Sequence, residues 1–201
     1  MVDFVRVKAG SRSFAQRKMI HGVGVNDAYY LTTNNGQRCP IYQIWKDMLQ
    51  RCYSLKFQDR CKSYTGCSTV KEWHAFSAFM DWVDTQNWKG MQLDKDLLAQ
   101  GNKVYGPNTC LFVTKTINLL LTNNLAGRGL IPIGAYLHKP SGKYYSRCKV
   151  NGRTVCIGTF DTPEAASFAY TEFKGEHIRK VAIEQTEPLR SALLRWEVGK
   201  N

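Results

Sequence analysis

The chain has 201 residues, with 28 Lys and Arg against 16 Asp and Glu and a formal net charge of +12. That length bounds it to one domain of ordinary size or two small ones, with 43% apolar residues from which to build a core. No stretch approaches the roughly 18 apolar residues a membrane-spanning helix needs, and Met1, Val2, Asp3 and Phe4 lack the charged-then-apolar order of a signal peptide. The seven cysteines are odd in number and follow no repeating framework, so reduced thiols in a cytoplasm are expected.

Residues 1–38 have weak periodicity and read as an irregular arm made basic by Arg6, Lys8, Arg12, Arg17 and Lys18. From Pro40 the pattern sharpens: Ile41, Ile44, Trp45, Met48, Leu49 and Cys52 recur at helical spacing, and Pro40 suits a helix start. Residues 53–68 are polar and turn-rich. A second helix is expected to place Val70, Trp73, Phe76, Phe79, Met80 and Val83 along one face. Residues 91–93 then predict a short strand, 99–108 a loop with Gly101, Gly106 and Pro107, and 110–113 a second strand, before Thr114 caps a helix to about Leu121. Strand, long loop, strand and helix compose a ββα unit. Residues 122–129, with two Asn and two Gly, read as a linker.

The last third is the clearest. Residues 134–139, 143–150 and 153–160 alternate as strands around a Pro140-Ser141-Gly142 turn and an Asn151-Gly152 hairpin signal. Asp161-Thr162-Pro163-Glu164 opens a helix with a cap and a first-turn proline. Ala165, Ala166, Phe168, Ala169 and Phe173 are expected on its sheet-covering face, and residues 188–198 predict a final helix. The expected class is α+β: a ββα unit with flanking helices, followed by a three-stranded antiparallel sheet packed on a helix. The expected division is an arm at 1–38, a first domain at 39–124, and a second at 130–201.

From 97 to 160 the chain carries no acidic residue and eight basic ones, Lys103, Lys115, Arg128, Lys139, Lys143, Arg147, Lys149 and Arg153. Solvated surfaces mix both signs, so a one-signed stretch over a sheet points to a polyanion, and nucleic acid is the polyanion most often met in a cell. Alternation puts Tyr144, Ser146, Cys148 and Val150 on one face of the middle strand and Tyr145, Arg147 and Lys149 on the other. Val155 and Ile157 join the helix side, which leaves Thr154 and Cys156 outward beside Arg153. Tyr136 and His138 join the outward face from the first strand. Such a basic, aromatic face suits a DNA groove, with Arg147 and Lys149 placed for guanine edges or phosphates. The bland alternative is an ordinary antiparallel sheet with a Lys/Arg-rich solvent face.

The string Gly134-Ala-Tyr-Leu-His-Lys139, Gly142-Lys-Tyr-Tyr145 and Ile157-Gly-Thr-Phe-Asp-Thr-Pro-Glu-Ala-Ala166, with Ala169-Tyr170, is similar to the DNA-binding domain of plant Apetala and ethylene-response factors. That domain is also a C-terminal module of phage and mobile-element endonucleases. The resemblance covers about 45 residues and implies a helix-backed sheet reading the major groove of double-stranded DNA. The plant domain carries more arginine and tryptophan on this face, where Tyr136, His138 and Cys156 stand here.

The ββα unit resembles a diverged HNH nuclease over residues 40–121, together with the flanking Trp45, Met48, Arg51, Cys52 and Tyr53 and Glu72, Trp73, Phe76, Phe79 and Trp82. The resemblance places Leu93-Asp94-Lys95-Asp96 at the family's Asp-His pair, Asn102 and Asn108 at the loop asparagines, and Asn118 at the last metal position. It implies a site-specific, homing-type endonuclease that uses Mg or Mn, with Asp94 and Asn118 as hard oxygen ligands. It also implies the cytoplasm of a host cell if the chain is phage-encoded. The family's histidine base is replaced here by Lys95, a poor base whose ammonium two flanking carboxylates favour. His74 is the alternative base and Lys95 the alternative phosphate ligand; a salt-bridged turn in a retired scaffold is the third reading. Cys52, Cys61, Cys67 and Cys110 raise zinc as a further option, but with no Cys-x-x-Cys pair buried thiols are the preferred reading, Cys148 among them. The functions that follow are a DNA endonuclease, an inactive DNA-binding regulator or host-system inhibitor on a degenerate nuclease scaffold, and a module for an acidic protein partner. Oligomeric state and target sequence are left open.

Overall fold

The computed structural model describes residues 4–122 and 130–200. The expected linker at 122–129 therefore falls, apart from Thr122, outside the described residues. The fold is mixed α and β. It separates into two compact units, Met1–Asp96 with Asn102–Phe112, and Leu97–Gly101 with Val113–Asn201. Helix formation from Thr114 onward thus belongs with the second unit rather than with the strands before it.

In the first unit the N-terminal stretch is not an arm. It contains α1 (Ser11–Ala15) and a hairpin of β1 (Thr33–Asn34) and β2 (Gln37–Arg38). It also buries Ala28 and Tyr30 in the core. Arg17 anchors it by donating to the carbonyl oxygens of Asn26, Ala28 and Tyr30 at 2.8, 2.7 and 3.0 Å. The expected first helix is α2 (Pro40–Tyr53), with Ile41, Trp45, Met48, Leu49 and Cys52 buried along one side. The turn-rich stretch after it is more ordered than its polarity suggested: α3 (Leu55–Arg60), capped by Ser54, and a 3₁₀ turn at Lys62–Tyr64. The second helix breaks in two, a 3₁₀ turn at Lys71–His74 and α4 (Phe76–Asp84), because extended Ala75 intervenes where Val25 bridges to it. The core closes around Trp45, whose Nε1 donates to the Trp73 carbonyl oxygen at 2.7 Å, and Phe76 and Phe79.

Strand β3 (Ser68–Thr69) pairs in parallel with β5 (Val104–Tyr105), and β4 (Gln92–Asp94) pairs with β6 (Leu111–Val113). The expected single loop across 99–108 therefore contains a strand.

In the second unit α5 (Lys115–Leu121) starts at Thr114, whose Oγ1 accepts from the Ile117 amide at 3.3 Å. Strands β7 (Ala135–His138), β8 (Lys143–Val150) and β9 (Arg153–Phe160) form the antiparallel sheet, in chain order. Helix α6 (Pro163–Ile183) packs on it, with Thr162 accepting from Ala165 and Pro163 in the first turn. Its buried stripe is Ala166, Tyr170, Lys174, Ile178 and Ala182, whereas Phe168 is 69% exposed. The expected face, centred on Phe168, is therefore rotated: Tyr170 takes the sheet-covering position because Gly134 leaves room for its ring. The final helix is shorter than predicted, α7 (Leu189–Leu194). Among the described residues no helix is long and apolar enough to cross a membrane.

Candidate nucleic-acid interface

Alternation on β8 turns Ser146 and Cys148 inward, both buried, and Arg147 and Lys149 outward, both exposed. Register then assembles the outward face across three strands: Tyr136 opposite Tyr145, His138 opposite Lys143, Cys156 opposite Arg147 and Thr154 opposite Lys149. The rings of Tyr136 and Tyr145 stack at 5.5 Å and 14°. The Arg147 guanidinium lies 4.8 Å from the first ring centre and 5.4 Å from the second. Guanidinium over aromatic rings is attractive and restricts the side chain's rotamers, so the N–H fork is held in place before a ligand arrives.

The face differs from strict alternation at one point. The β8–β9 register slips between Ser146 and Arg147, so Ser146 is opposite Gly158 while Arg147 is opposite Cys156. This bulge turns Thr159, opposite Tyr145, outward; uninterrupted alternation would have put Gly158 there. Thr159 is the outward-face residue that pattern reading misses. The available signal is Gly158 itself, since a glycine inside a strand marks a bulge.

Three expected members of the face are modified by their surroundings. Lys143 is ion-paired with exposed Asp161 at 2.9 Å, a surface contact that contributes little stability but partly neutralises that end of the sheet. His138 shares a 2.7 Å hydrogen bond with Ser141 and so is tied to the turn. Arg153 pairs in register with Val150 and lies exposed at the hairpin end, off the line of Arg147 and Lys149. Arg147 and Lys149 are the cations of the outward face that no carboxylate engages among the described residues.

The nuclease-like positions form a clamp around the turn after β4. Lys95 is 4% exposed, and its Nζ donates to Asp96 Oδ1 at 2.6 Å and to the Asn102 carbonyl oxygen at 2.8 Å. Both contacts use N–H donors, so this amine is engaged as a donor and not as a base toward water. The strand ends at Asp94, whose Oδ1 accepts from the Asp96 amide at 2.9 Å. The two carboxylates are therefore members of a turn, not a continued strand face.

Asn102 closes the clamp, its Nδ2 donating to the carbonyl oxygens of Lys95 at 2.9 Å and Val104 at 2.7 Å. Thr109, which sequence reading passes over, adds a bond from Oγ1 to the Val104 carbonyl oxygen at 2.8 Å. Asn108 is exposed in the same turn. Removing Asn102 with alanine would take away its bonds to the Lys95 carbonyl and the Val104 amide, leaving the Val104 carbonyl to Thr109 alone, and should cost about 2 to 3 kcal/mol in chemical denaturation.

His74 ends the 3₁₀ turn, where its Nε2 lies 3.1 Å from the Tyr53 hydroxyl, which in turn contacts Thr69 Oγ1 at 3.1 Å. Asn118 lies on α5 in the second unit, while Asp94 belongs to the first. As a home for Mg or Mn the first-unit donors fit poorly: Asp96 is neutralised by Lys95, and one Asp94 oxygen holds the turn. Divalent ions of this kind want carboxylate oxygens without a resident cation beside them. Among the described residues no group of three or more His, Cys, Asp or Glu is placed to hold a metal ion.

Of the four cysteines weighed for zinc, Cys52, Cys67 and Cys110 are buried and Cys61 is half-buried. Burial pushes the Cys52 and Cys110 thiols up to about 12 and raises Cys67. Thiols so shielded stay protonated and inert at neutral pH. A thiol-reactive chromophore on the native protein should therefore label exposed Cys156 quickly and Cys61 more slowly, with the other five appearing only on denaturation.

Comparison with protein families, curated proteins and solved structures finds no match to this chain. The functional reading therefore rests on the residues themselves.

Proposed function

We propose that this is a duplex-DNA-binding protein that engages DNA through the outward face of β7, β8 and β9. One observation carries the reading: Arg147 held over the stacked Tyr136 and Tyr145 rings, beside unpaired Lys149, on a face whose strands contain no acid. A pre-oriented guanidinium fork suits bidentate recognition of a guanine edge, and Lys149 suits a phosphate. The twisted three-stranded ribbon suits entry into the major groove.

The pairing of buried Lys95 with half-exposed Asp96 supports binding without strand cleavage, because Lys95, at the position of the resembled nucleases' base, is a committed donor. In this reading the ββα segment serves as scaffold, and the protein acts as a regulator or an inhibitor of host systems. Metal-dependent cleavage is the second reading. It is favoured by the Asp94 carboxylate at the end of β4 and by the loop that Asn102 holds behind it.

Incubation with plasmid and linear DNA in Mg or Mn, followed by gel retardation at graded salt, separates the two. The expected result is salt-sensitive retention with intact DNA, equal for wild type and Asp94→Ala. Nicking that requires metal and disappears in Asp94→Ala would establish the nuclease instead. No retention at low salt, together with capture by an acidic protein surface, would overturn both.

A further inference from the structure

We propose that a cavity of the first unit binds the guanine base of a nucleotide, with Asp84 and Arg6 reading its Watson–Crick edge. The inference concerns residues outside the sheet and does not depend on the duplex reading.

The open cavity has a volume of about 500 Å³, within the range of small-molecule sites. All of its lining residues belong to the first unit, among them Phe4, Arg6, Asp84, Asn87, Trp88 and Lys89. Arg6 stands on a segment fixed by backbone bonds: the Leu31 amide donates to the Val7 carbonyl oxygen at 2.8 Å, and the Ala9 amide to that of Tyr29 at 2.9 Å. Its guanidinium lies 5.2 Å from the centre of the fully buried Tyr30 ring, which limits its rotamers. Asp84 is the last residue of α4. The chain turns there through the Gln86 amide to the Val83 carbonyl oxygen at 2.9 Å and Thr85 Oγ1 to that of Trp82 at 2.7 Å. Both charged groups are therefore mounted on ordered backbone before a ligand arrives.

The two charges lie side by side without saturating each other. One nitrogen, Arg6 Nη2, spans both Asp84 carboxylate oxygens at 3.4 and 3.3 Å, longer than charge-assisted bonds usually are. The two side chains stay 33% and 44% exposed, so carboxylate lone pairs and guanidinium N–H groups remain for a ligand. An edge that fits this pair carries an acceptor beside donors, and guanine has O6 beside N1–H and N2–H. The carboxylate accepts the two N–H groups in parallel while the guanidinium donates to O6. Adenine brings one donor group in place of two, and so forms fewer of these bonds. Phe4 and Trp88 are partly buried against the core and line the same cavity, which gives a planar base aromatic surface to lie on. Exposed Lys89 and Asn87 add a cation and an amide for the phosphate and the sugar. A free amino acid matches the two charges but brings no flat edge of acceptor and paired donors.

The test is calorimetric titration of the full chain with guanosine, adenosine and xanthosine monophosphates. Wild type is expected to bind the guanosine nucleotide saturably and the other two about tenfold or more weakly. Asp84→Asn should reverse the preference toward xanthosine monophosphate. Xanthine has a carbonyl where guanine has its 2-amino group, and the new amide N–H can donate to it while the amide oxygen accepts from N1–H. A merely damaged cavity would lose both ligands, so the reversal separates base reading from structural support. Trp88→Leu should weaken all three nucleotides without changing their order. An oligothymidylate carrying one guanine is the second arm: binding of the mononucleotide alone assigns a free nucleotide, and binding of both assigns the base in either setting. Absence of saturable binding to every guanine ligand, adenosine monophosphate bound as tightly as the guanosine nucleotide, or an unchanged preference in Asp84→Asn would each overturn the inference. So would saturation by free arginine or tryptophan that guanosine monophosphate does not displace.

Discussion

Replacing Arg147 and Lys149 together by alanine is expected to weaken duplex DNA binding by at least a hundredfold without changing the fold. Both side chains are exposed and Arg147 gives up only its contacts with the Tyr136 and Tyr145 rings, so the loss falls mainly on the ligand and little on stability. A bidentate arginine contact contributes about 1 to 3 kcal/mol, and a phosphate-bound lysine adds a salt-dependent part. Arg147→Lys is the sharper variant. It keeps the charge but loses the planar group held over Tyr136 and Tyr145, so it should recover phosphate attraction and not discrimination. Tyr136→Ala should act in the same direction by freeing the guanidinium. Unchanged affinity in the double alanine variant, at physiological salt, would remove this face from the function.

Gly134→Ala should have the largest effect on stability, about 3 kcal/mol or more in the second unit, from overpacking and backbone strain together. Gly134 has φ +79°, and a Cβ placed there would lie 2.0 Å from Cγ of Tyr170. The ring cannot retreat easily, because Tyr170 lies on the buried stripe of α6 between Ala166 and Lys174. Chemical denaturation followed by far-ultraviolet circular dichroism would measure the loss. Because the sheet is the proposed reading face, duplex affinity should fall with it even though Gly134 touches no ligand. Gly142→Ala is the control: it also has positive φ, at +68°, but a Cβ there would meet nothing within 4 Å, so backbone strain alone should remain.

The parts of this protein legible in its sequence are those governed by near neighbours. Thr114 and Thr162 cap the helices that follow them, Asn151-Gly152 turns β8 into β9, and the β8 alternation correctly sorts Cys148 from Arg147. The N-terminal stretch resisted because its buried row mixes small and polar residues with Tyr30, while several of its larger apolar residues are exposed. Gly24, Asn26 and Ala28 face in, while Val25 and Tyr29 are 50% and 59% exposed. Burial alternates at 24, 26, 28 and 30, but with Gly24 and Asn26 in the row the apolar residues do not display that period. Thr159 was hidden by the bulge, which changes the side of every later residue on β9. The tilt of α6 misled because Phe168 is its most conspicuous apolar residue near the start and yet faces solvent.

Composition and spacing by themselves determined a basic, mixed α and β chain with a helix-backed sheet, because charge balance, caps, turns and strand period act over a few residues. Only the tertiary structure decided what the charged residues do. It spends Lys95 on Asp96 and the Asn102 carbonyl, Arg17 on three distant carbonyls and Lys143 on Asp161, and leaves Arg147 and Lys149 open. Whether a cation is available to a ligand depends on which acceptors the fold brings within hydrogen-bond reach, and those lie up to tens of residues away along the chain.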